Sequence, residues 1–206
     1  MNIIGGILAG GRGRRMEGID KPFAELDGKP LIAHVIRRMT PQAGEVIINA
    51  NGEAERFDQF GFDVIADRID GFRGPLAGLH ALMVAAGERG GSHLLSVPAD
   101  TPFLPADLAT RLTSVENTDG AARIASSKGR RQPVVALWPV DLAKGLEAYL
   151  SKTGDLSMAA YLRQIETTET GFPVIDGLDP FFNINTPGDL EQAERLIAAC
   201  PDSSIV

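Results

Sequence analysis

Cysteine is almost absent from this chain: Cys200 is the single cysteine among 206 residues. One thiol cannot form a disulfide within the chain, and it excludes a metal site built from several thiolates. Long hydrophobic runs are also missing, because apolar runs such as 3–9 and 134–138 fall far short of the roughly 20 apolar residues that a membrane-spanning helix needs. The sequence therefore predicts no membrane partner.

Basic charge is scarce as well. Lys and Arg total 20 against 27 Asp and Glu, which leaves a net charge of −7 at neutral pH. A broad positive surface for DNA or RNA is therefore disfavoured, and no nucleic-acid partner is predicted. Any anion has to be bound by a local group of residues. His34, His80 and His93 show neither metal-ligand nor catalytic-triad spacing, so we interpret them as packing or surface residues.

The opening residues, MNIIGGILAGG, carry no basic segment ahead of their apolar stretch. A secretory signal needs such a segment, so we predict a cytoplasmic protein. At this length, with 44% hydrophobic residues, the chain can bury one sizeable core. We predict one domain over 1–206.

Short apolar runs alternate with helical patterns through the first half, which favours βαβ units around a parallel sheet. Strands are predicted at 3–8, 45–49, 62–66 and 93–97, and helices at 30–39 and 75–86. In the first helix, Leu31, Val35 and Met39 share one face, which should lie on the sheet.

The pattern changes after residue 118. AARIASS and QPVVALW flank the turn KGRR, which predicts an antiparallel hairpin with Leu137 and Trp138 in its core. Further helices are predicted at 139–150 and 156–165, a strand near 172–175, and a short extended run, FFNIN. The fold class is therefore α/β, a mostly parallel sheet with an antiparallel hairpin.

A final helix is predicted from its start signal. Thr186 suits the N-cap, Pro187 the first turn, and Asp189 completes a motif like a capping box. Leu190, Ala193 and Ile197 then face inward.

The string LAGGRGRRMEGIDKP follows the first strand directly. Glycines let backbone N–H groups approach a polyanion, and the basic residues among them predict a phosphate loop. It is not the mononucleotide P-loop, because Lys21 follows Asp20 instead of Gly, and GxGxxG fails because its third glycine would fall on Met16. In this loop Arg15 can balance charge on a leaving pyrophosphate, and Lys21 can reach the attacked phosphate.

Polar residues follow several predicted strands. Ligands of open α/β sheets bind outside the carboxyl ends of the strands, where Gly10, Asn49, Asp67 and Asp100 would lie. A triphosphate needs a divalent cation, and Mg²⁺ prefers one or two carboxylates. We predict that Asp100 binds Mg²⁺.

Four motifs resemble those of the nucleotidyltransferases related to the molybdopterin guanylyltransferases. They are LAGGxxxRMxxxxK with Arg15, Met16 and Lys21 in place, PADTPFL, QPV at 132–134, and NxNTPxxL at 183–190, and they occur in the family's order. The chain departs from the family's motifs at Gly13 and Glu17 in the loop. It also has TGDLSM at 153–158, where relatives carry a more basic stretch.

The resemblance implies a three-layer α/β/α Rossmann-like nucleotidyltransferase fold that transfers GMP from GTP to molybdenum-bearing molybdopterin and releases pyrophosphate. It implies nucleotide binding by Leu8, Ala9, Gly10, Gly11, Lys21, Asn49, Asp67 and Asp100, catalysis by Arg15, Lys21 and Asp100, and acceptor binding by Gln132, Asn183 and Asn185. Cofactor-delivery proteins and acceptor molybdoenzymes are implied as further partners. Asp67 could accept hydrogen bonds from the N–H edge of guanine.

Other functions stay open at this point. One is a CTP-dependent molybdopterin cytidylyltransferase, although relatives that use CTP typically carry LAAG where this chain has Gly10. Transfer of a nucleotide to a sugar phosphate is another, and a non-catalytic nucleotide-binding regulator is a third. Asp100, Asn183 and Asn185 disfavour the regulator, since it has no need of them.

Overall fold

The computed structural model describes residues 1–10, 20–69, 74–115, 120–151 and 157–199. The strands are β1 Ile3–Leu8, β2 Glu25–Leu26, β3 Lys29–Pro30, β4 Glu45–Asn49, β5 Asp63–Ile65, β6 His93–Pro98, β7 Ala122–Ser127, β8 Arg130–Pro139 and β9 Thr167–Gly171. The α-helices are α1 Leu31–Met39, α2 Pro75–Glu88, α3 Leu108–Thr113, α4 Leu142–Leu150, α5 Met158–Leu162 and α6 Pro187–Ala199. Short 3₁₀ helices cover Lys21–Phe23, Thr40–Gln42 and Ala54–Phe60.

Seven strands form one sheet in the order β5-β4-β1-β6-β8-β7-β9. β8 pairs antiparallel with both of its neighbours, and the other pairs are parallel. Six strands therefore run in one direction and β8 in the other. The predicted α/β class, with its hairpin of β7 and β8, is confirmed.

Helices cover both faces of this sheet. On one face, α1 and α3 bury residues such as Val35, Leu108 and Leu112 against Ile7 and Leu95. On the other face, α2, α4 and α5 cover the sheet with a second buried cluster. The alternation of side chains along the strands supplies both clusters, and the result is three layers.

A third, smaller core lies under α6. Leu26, Leu31, Phe103, Ile184 and Ala193 are buried together there. This core fastens α6 and the segment before it to the two-stranded sheet of β2 and β3.

The first-half predictions agree with the structure to within a few residues. Pro30, expected as the first helical residue, instead precedes α1 and has extended backbone geometry. Leu31, Val35 and Met39 are fully buried, as the one-face pattern predicts, and so are Leu137 and Trp138 in the hairpin.

The strand predicted near 172–175 is wrong. β9 instead covers the preceding segment Thr167–Gly171 and pairs parallel with β7 at the sheet edge. An edge strand can keep polar side chains, so TTETG has no apolar run to mark it. Phe172 leaves the sheet and packs edge-on against Phe181, with 5.2 Å between ring centroids.

Within the parts of the chain that the structure describes, no helix is long and apolar enough to cross a membrane.

Candidate active site

The four predicted strand ends meet at one edge of the sheet. β1 pairs with β4 and β6, and β4 pairs with β5, all in parallel, so their carboxyl ends lie side by side. Hydrogen bonds continue beyond the strands, from the Ala9 N–H to the Asn49 carbonyl at 2.8 Å and from the Ala99 N–H to the Leu8 carbonyl at 3.0 Å. The hydrogen-bonded backbone of the sheet thus positions the residues of the site.

A cleft of about 300 Å³ opens at this edge. It is lined by Leu8, Gly10, Asn49, Asn51, Asp67, Gly74, Pro75, Gly78, Pro98, Asp100, Val134 and Asn183. The convergence that was predicted for Gly10, Asn49, Asp67 and Asp100 is therefore confirmed.

Four residues distant in sequence form what we call the Lys21 cluster: Lys21, Asp100, Asn183 and Asn185. The Lys21 ammonium donates hydrogen bonds to Asp100 Oδ2, to Asn183 Oδ1 at 3.1 Å and to Asn185 Oδ1 at 2.7 Å. The side chains of Lys21 and Asp100 are each 17% exposed, so this ion pair is largely withdrawn from water. One cation is thus surrounded by three oxygen acceptors.

Lys21 is held in place by the short helix that it begins. Pro22 is buried, and the Phe23 N–H donates to the Asp20 carbonyl at 2.9 Å. The Phe23 ring lies 5.1 Å from that of Phe57, between centroids, and the Asp20 carboxylate pairs with Arg56. Contacts on both sides of Lys21 therefore fix the backbone from which its side chain reaches the cluster.

The asparagines are positioned by the start of α6. The Ile184 N–H donates to the Asp100 carbonyl at 3.0 Å, which ties the two segments together. Asp189 Oδ2 accepts from the Asn185 and Thr186 N–H groups at 2.9 and 2.8 Å, and Thr186 Oγ1 accepts from the Asp189 N–H at 3.1 Å. This is the predicted capping box, and it fixes the backbone beside Asn185.

Electrostatics agree with this geometry. Partial burial acts to raise the pKa of Asp189, but the hydrogen bonds from Asn185 and Thr186 outweigh it, and the net pKa is lowered. Asp189 is therefore held as a carboxylate.

The segment FFNIN forms no strand. Asn183 and Asn185 nevertheless point the same way, since the side-chain oxygens of both accept hydrogen bonds from the same Lys21 ammonium.

The oxygen atoms of the Lys21 cluster suit a hard divalent cation. One carboxylate and two amide oxygens are the kind of ligand that Mg²⁺ accepts alongside phosphate and water. Asp100 Oδ1 is buried and has no hydrogen-bond partner among the residues that the structure describes. A lysine ammonium already occupies the cation position, so the residues present fit the metal by charge and by ligand chemistry.

A second group, which we call the Asp67 clamp, consists of Asn49, Asn51 and Asp67. Asn49 Nδ2 donates to Asp67 Oδ1 at 3.0 Å, and Asn51 Nδ2 donates to Asp67 Oδ2 at 2.9 Å. Asn51 Oδ1 accepts from the Asp67 N–H at 3.0 Å. The carboxylate is thus held at both oxygens, each of which keeps a lone pair for a further donor.

Helix α2 closes on the clamp because of Gly78. A Cβ at this position would collide with Asn49 Oδ1 and lie 2.6 Å from Leu8 Cδ2. Asn49 is 2% exposed under this helix. Glycine therefore lets the helix approach the end of β4 closely enough to bury the amide.

Sequence reasoning missed Asn51 and Gly78. Asn51 follows Asn49 by two positions at the end of a strand, a repeat of amides that could have marked it. Gly78 lies within the helix predicted at 75–86, and no role is predicted for it there. Its role depends on the distance between α2 and β4, which the sequence does not contain.

Some of the predicted site residues belong to neither group. Gly11 and Arg15 lie outside the described residues, as do Gly13 and Glu17 of the same loop. Gln132 lies on β8 two positions before Val134, and its amide donates to Ser127 Oγ at 3.3 Å. The pairing of β7 and β8 is irregular at this point, next to Pro133, which lacks an N–H group.

Fold and site together define a nucleotidyltransferase: residues 5–168 match the family model of the MobA-like NTP transferase domain. Proteins named molybdenum cofactor guanylyltransferase from Rhodopseudomonas palustris (strain BisB5) and Rhizobium leguminosarum bv. trifolii (strain WSM2304) are each 45% identical to this chain. The alignments cover 92% of this chain and 91% of the first relative, and 96% and 94% for the second.

A solved structure agrees. Molybdopterin-guanine dinucleotide biosynthesis protein A from Archaeoglobus fulgidus superposes with a TM-score of 0.76 at 27% identity, over 95% of this chain and 99% of that one. The chain belongs to the molybdenum cofactor guanylyltransferase family.

Proposed function

We propose that this protein transfers GMP from GTP to the terminal phosphate of molybdenum-bearing molybdopterin. An acceptor phosphate oxygen forms the new bond to the α-phosphorus of GTP, and the bond from that phosphorus to the bridging oxygen breaks. Pyrophosphate leaves with the electron pair. The observation that carries the proposal is the meeting of Lys21, Asp100, Asn183 and Asn185 beside the cleft that Asp67 also lines.

The proposed reaction requires no proton transfer by a side chain of the protein. The attacking phosphate oxygen is already an anion, so no general base is needed, and none of the described residues that line the cleft is a histidine. Catalysis then consists of alignment and of charge placed beside the phosphates. Lys21 supplies such charge, and Arg15, outside the described residues, is proposed to act on the leaving pyrophosphate.

Asp100 would hold Mg²⁺, with Asn183 and Asn185 as neighbouring oxygen donors. When bound there, the ion offsets negative charge on the triphosphate and on the leaving group. The fit described above, a buried Asp100 Oδ1 without a partner among the described residues, supports this assignment.

The Asp67 clamp is proposed to bind the guanine base. Guanine presents two neighbouring N–H donors, and the carboxylate of Asp67 keeps acceptor capacity on both oxygens while Asn49 and Asn51 hold it. Cytosine presents no such pair. Leu8, Ala9, Gly10 and Gly11 would lie along the nucleotide, since they lead from the end of β1 into the phosphate loop.

The acceptor would lie on the Asn183 side of the cleft. Asn183 and Asn185 are proposed to orient its terminal phosphate, and Gln132 to border it. Cofactor-delivery proteins and acceptor molybdoenzymes as partners, the cytoplasm as location, and one domain over 1–206 also stay predictions.

The test is product formation with purified protein, Mg²⁺, labelled GTP and molybdenum-bearing molybdopterin. Wild type should form labelled dinucleotide, and Asp100→Asn should reduce the rate by roughly a thousandfold, since a metal contact is worth several kcal/mol to the transition state. Asp107→Asn is the matched control, because this exposed carboxylate lies in the same segment, and it should keep the wild-type rate. Product from CTP but not from GTP would overturn the guanylyl assignment.

A further inference from the structure

The Lys21 ammonium has no hydrogen atom left for a phosphate. An ammonium carries three N–H donors, and Lys21 uses them on Asp100, Asn183 and Asn185. The proposed reaction asks the same ammonium to contact the nucleotide. In the arrangement that the structure describes, Lys21 therefore has to leave the cluster before it can act on GTP.

A cation bound to Asp100 would lie within a few ångströms of the Lys21 ammonium. Asp100 Oδ1 is open to the cation, but Lys21 holds Asp100 Oδ2 and both asparagine oxygens. Asp100 is the one carboxylate among the four residues of the cluster. Asp189, whose pKa the charge of Lys21 helps to lower, is already engaged by the Asn185 and Thr186 N–H groups. Two cations a few ångströms apart repel strongly in a partly buried site. Lys21 and a divalent cation cannot both bind Asp100 at full strength.

We propose that Lys21 is a resident counter-ion that exchanges with the divalent cation. Without metal, Lys21 neutralises Asp100 and holds the segments before β2 and before α6 together. When a divalent cation binds Asp100, Lys21 is released, and its three donors become available to phosphate oxygens. Nucleotide and metal would then be bound in a coupled manner, because metal binding frees the lysine that the nucleotide needs. This inference rests on the proposed assignment of Asp100 to the metal.

The exchange predicts that removal of the ammonium strengthens metal binding. Wild type must break the hydrogen-bonded ion pair of Lys21 and Asp100 to bind the metal. Lys21→Met has a side chain of similar length without a charge, so it has no ion pair to break. We expect Mn²⁺, used alone as a probe and followed by the electron paramagnetic resonance signal of the free ion, to bind nucleotide-free Lys21→Met about tenfold more tightly than wild type. Lys144→Met, at an exposed position on α4, is the matched control and should bind Mn²⁺ as wild type does.

A purely structural role for Lys21 gives the opposite result. If Lys21 only holds the two segments together, its loss loosens Asn183 and Asn185, and Mn²⁺ binds Lys21→Met equally or less tightly. That outcome overturns the exchange. Asp100→Asn added to Lys21→Met should remove the gain, and a gain that survives Asp100→Asn also overturns it.

A second measurement uses wild type alone, so it does not depend on the folding of a variant. The rate of Lys21 acetylation by acetic anhydride, followed by mass spectrometry, should rise when Mn²⁺ is added, while that of Lys144 stays constant. An unchanged or slower rate at Lys21 contradicts the exchange. Either result is separate from the transfer assay: the exchange can hold in a protein that makes no dinucleotide, and fail in one that does.

Discussion

Several side chains of the site serve the fold and the chemistry at once. Asn49 ends β4, donates to the Ile65 carbonyl at 3.2 Å and holds Asp67, while it lies buried beneath α2. Such residues cannot be varied for one role without a change in the other. Variants that separate the two roles have to be chosen at their neighbours.

Gly78→Ala tests the close approach of α2. The added methyl group would collide with Asn49 and Leu8, so we expect the free energy of unfolding to fall by about 1–3 kcal/mol, as for other overpacked positions. GTP binding should weaken as well, because Asn49 has to move away from Asp67.

Gly87→Ala in the same helix is the control. Its added methyl group would make an ordinary contact with Val140 at 3.9 Å, and alanine favours the helix by roughly 0.5–1 kcal/mol. Urea unfolding of both variants checks the prediction. Equal stabilities for Gly78→Ala and Gly87→Ala would contradict it.

Asn51→Ala tests the Asp67 clamp. This exposed residue makes two hydrogen bonds to Asp67, so its loss should leave stability nearly unchanged but allow the carboxylate to rotate. We expect GTP affinity to fall about tenfold, the effect of roughly one lost hydrogen bond to a charged group. Isothermal titration with GTP measures this affinity, and Glu53→Ala, at an exposed position in the same loop, is the control. If Asn51→Ala binds GTP as wild type does, the clamp is not needed.

At the scale of elements, α6 connects the third core with the site. Its capping box holds the backbone at Asn185, and its inner face buries Ala193 with Leu190 and Ile197 packed alongside. A change at the start of this helix should therefore reach both stability and catalysis.

Thr186→Ala removes the side-chain acceptor of the cap. The free energy of unfolding should fall by about 1 kcal/mol, the usual cost of a lost N-cap. Thr186→Ser keeps the hydroxyl and should stay within a few tenths of a kcal/mol of wild type. Urea unfolding distinguishes them, and equal losses in both variants would show that the hydroxyl contributes nothing.

The elements also show where sequence patterns succeed. Leu31, Val35 and Met39 form a single buried stripe, and the helix is found where the period predicts it. The sequence pattern misses β9 because an edge strand is paired on one side only and needs few apolar residues. The apolar Phe172 lies beyond the strand and packs in the core on the α1 and α3 face of the sheet. Periodicity detects burial, and it misses an element that is held mainly by backbone pairing.

For the whole molecule, the local binding of anions matters more than total charge. The chain carries a net charge of −7, and yet its cleft is bordered by a lysine that sits among oxygen atoms. Affinity for GTP is therefore predicted to depend on the divalent cation and on single basic residues, and not on a broad positive field.

Stability should decrease on mild acidification. Burial is the largest cause that lowers the pKa of His80, and likewise that of His34, below the ordinary 6.5. Between 6.5 and the lowered values the unfolded chain binds more protons than the folded one. Stability is therefore fully present above about pH 6.5 and is lost as the pH falls through this window.

Urea midpoints measured from about pH 8 to about pH 5 should show this loss, and His80→Gln should show a smaller one. His80→Gln keeps a polar, neutral side chain that does not titrate. The difference between the two slopes of stability against pH therefore reports the protonation of His80 and not the packing alone. Identical slopes for the variant and wild type would contradict the prediction.

The sequence by itself determined the class of fold, the strands of the first half, the capped last helix and the family, because these depend on short-range patterns of burial and on motifs that retain their order. It also predicted Asp100 as a ligand of Mg²⁺, and the resemblance implied Asn183 and Asn185 as acceptor-binding residues. Only the tertiary structure decided that the three surround Lys21, that Asn51 holds Asp67, and that Gly78 makes room for Asn49. These relations join residues up to 164 positions apart, and their distances are set by how helices close on the sheet.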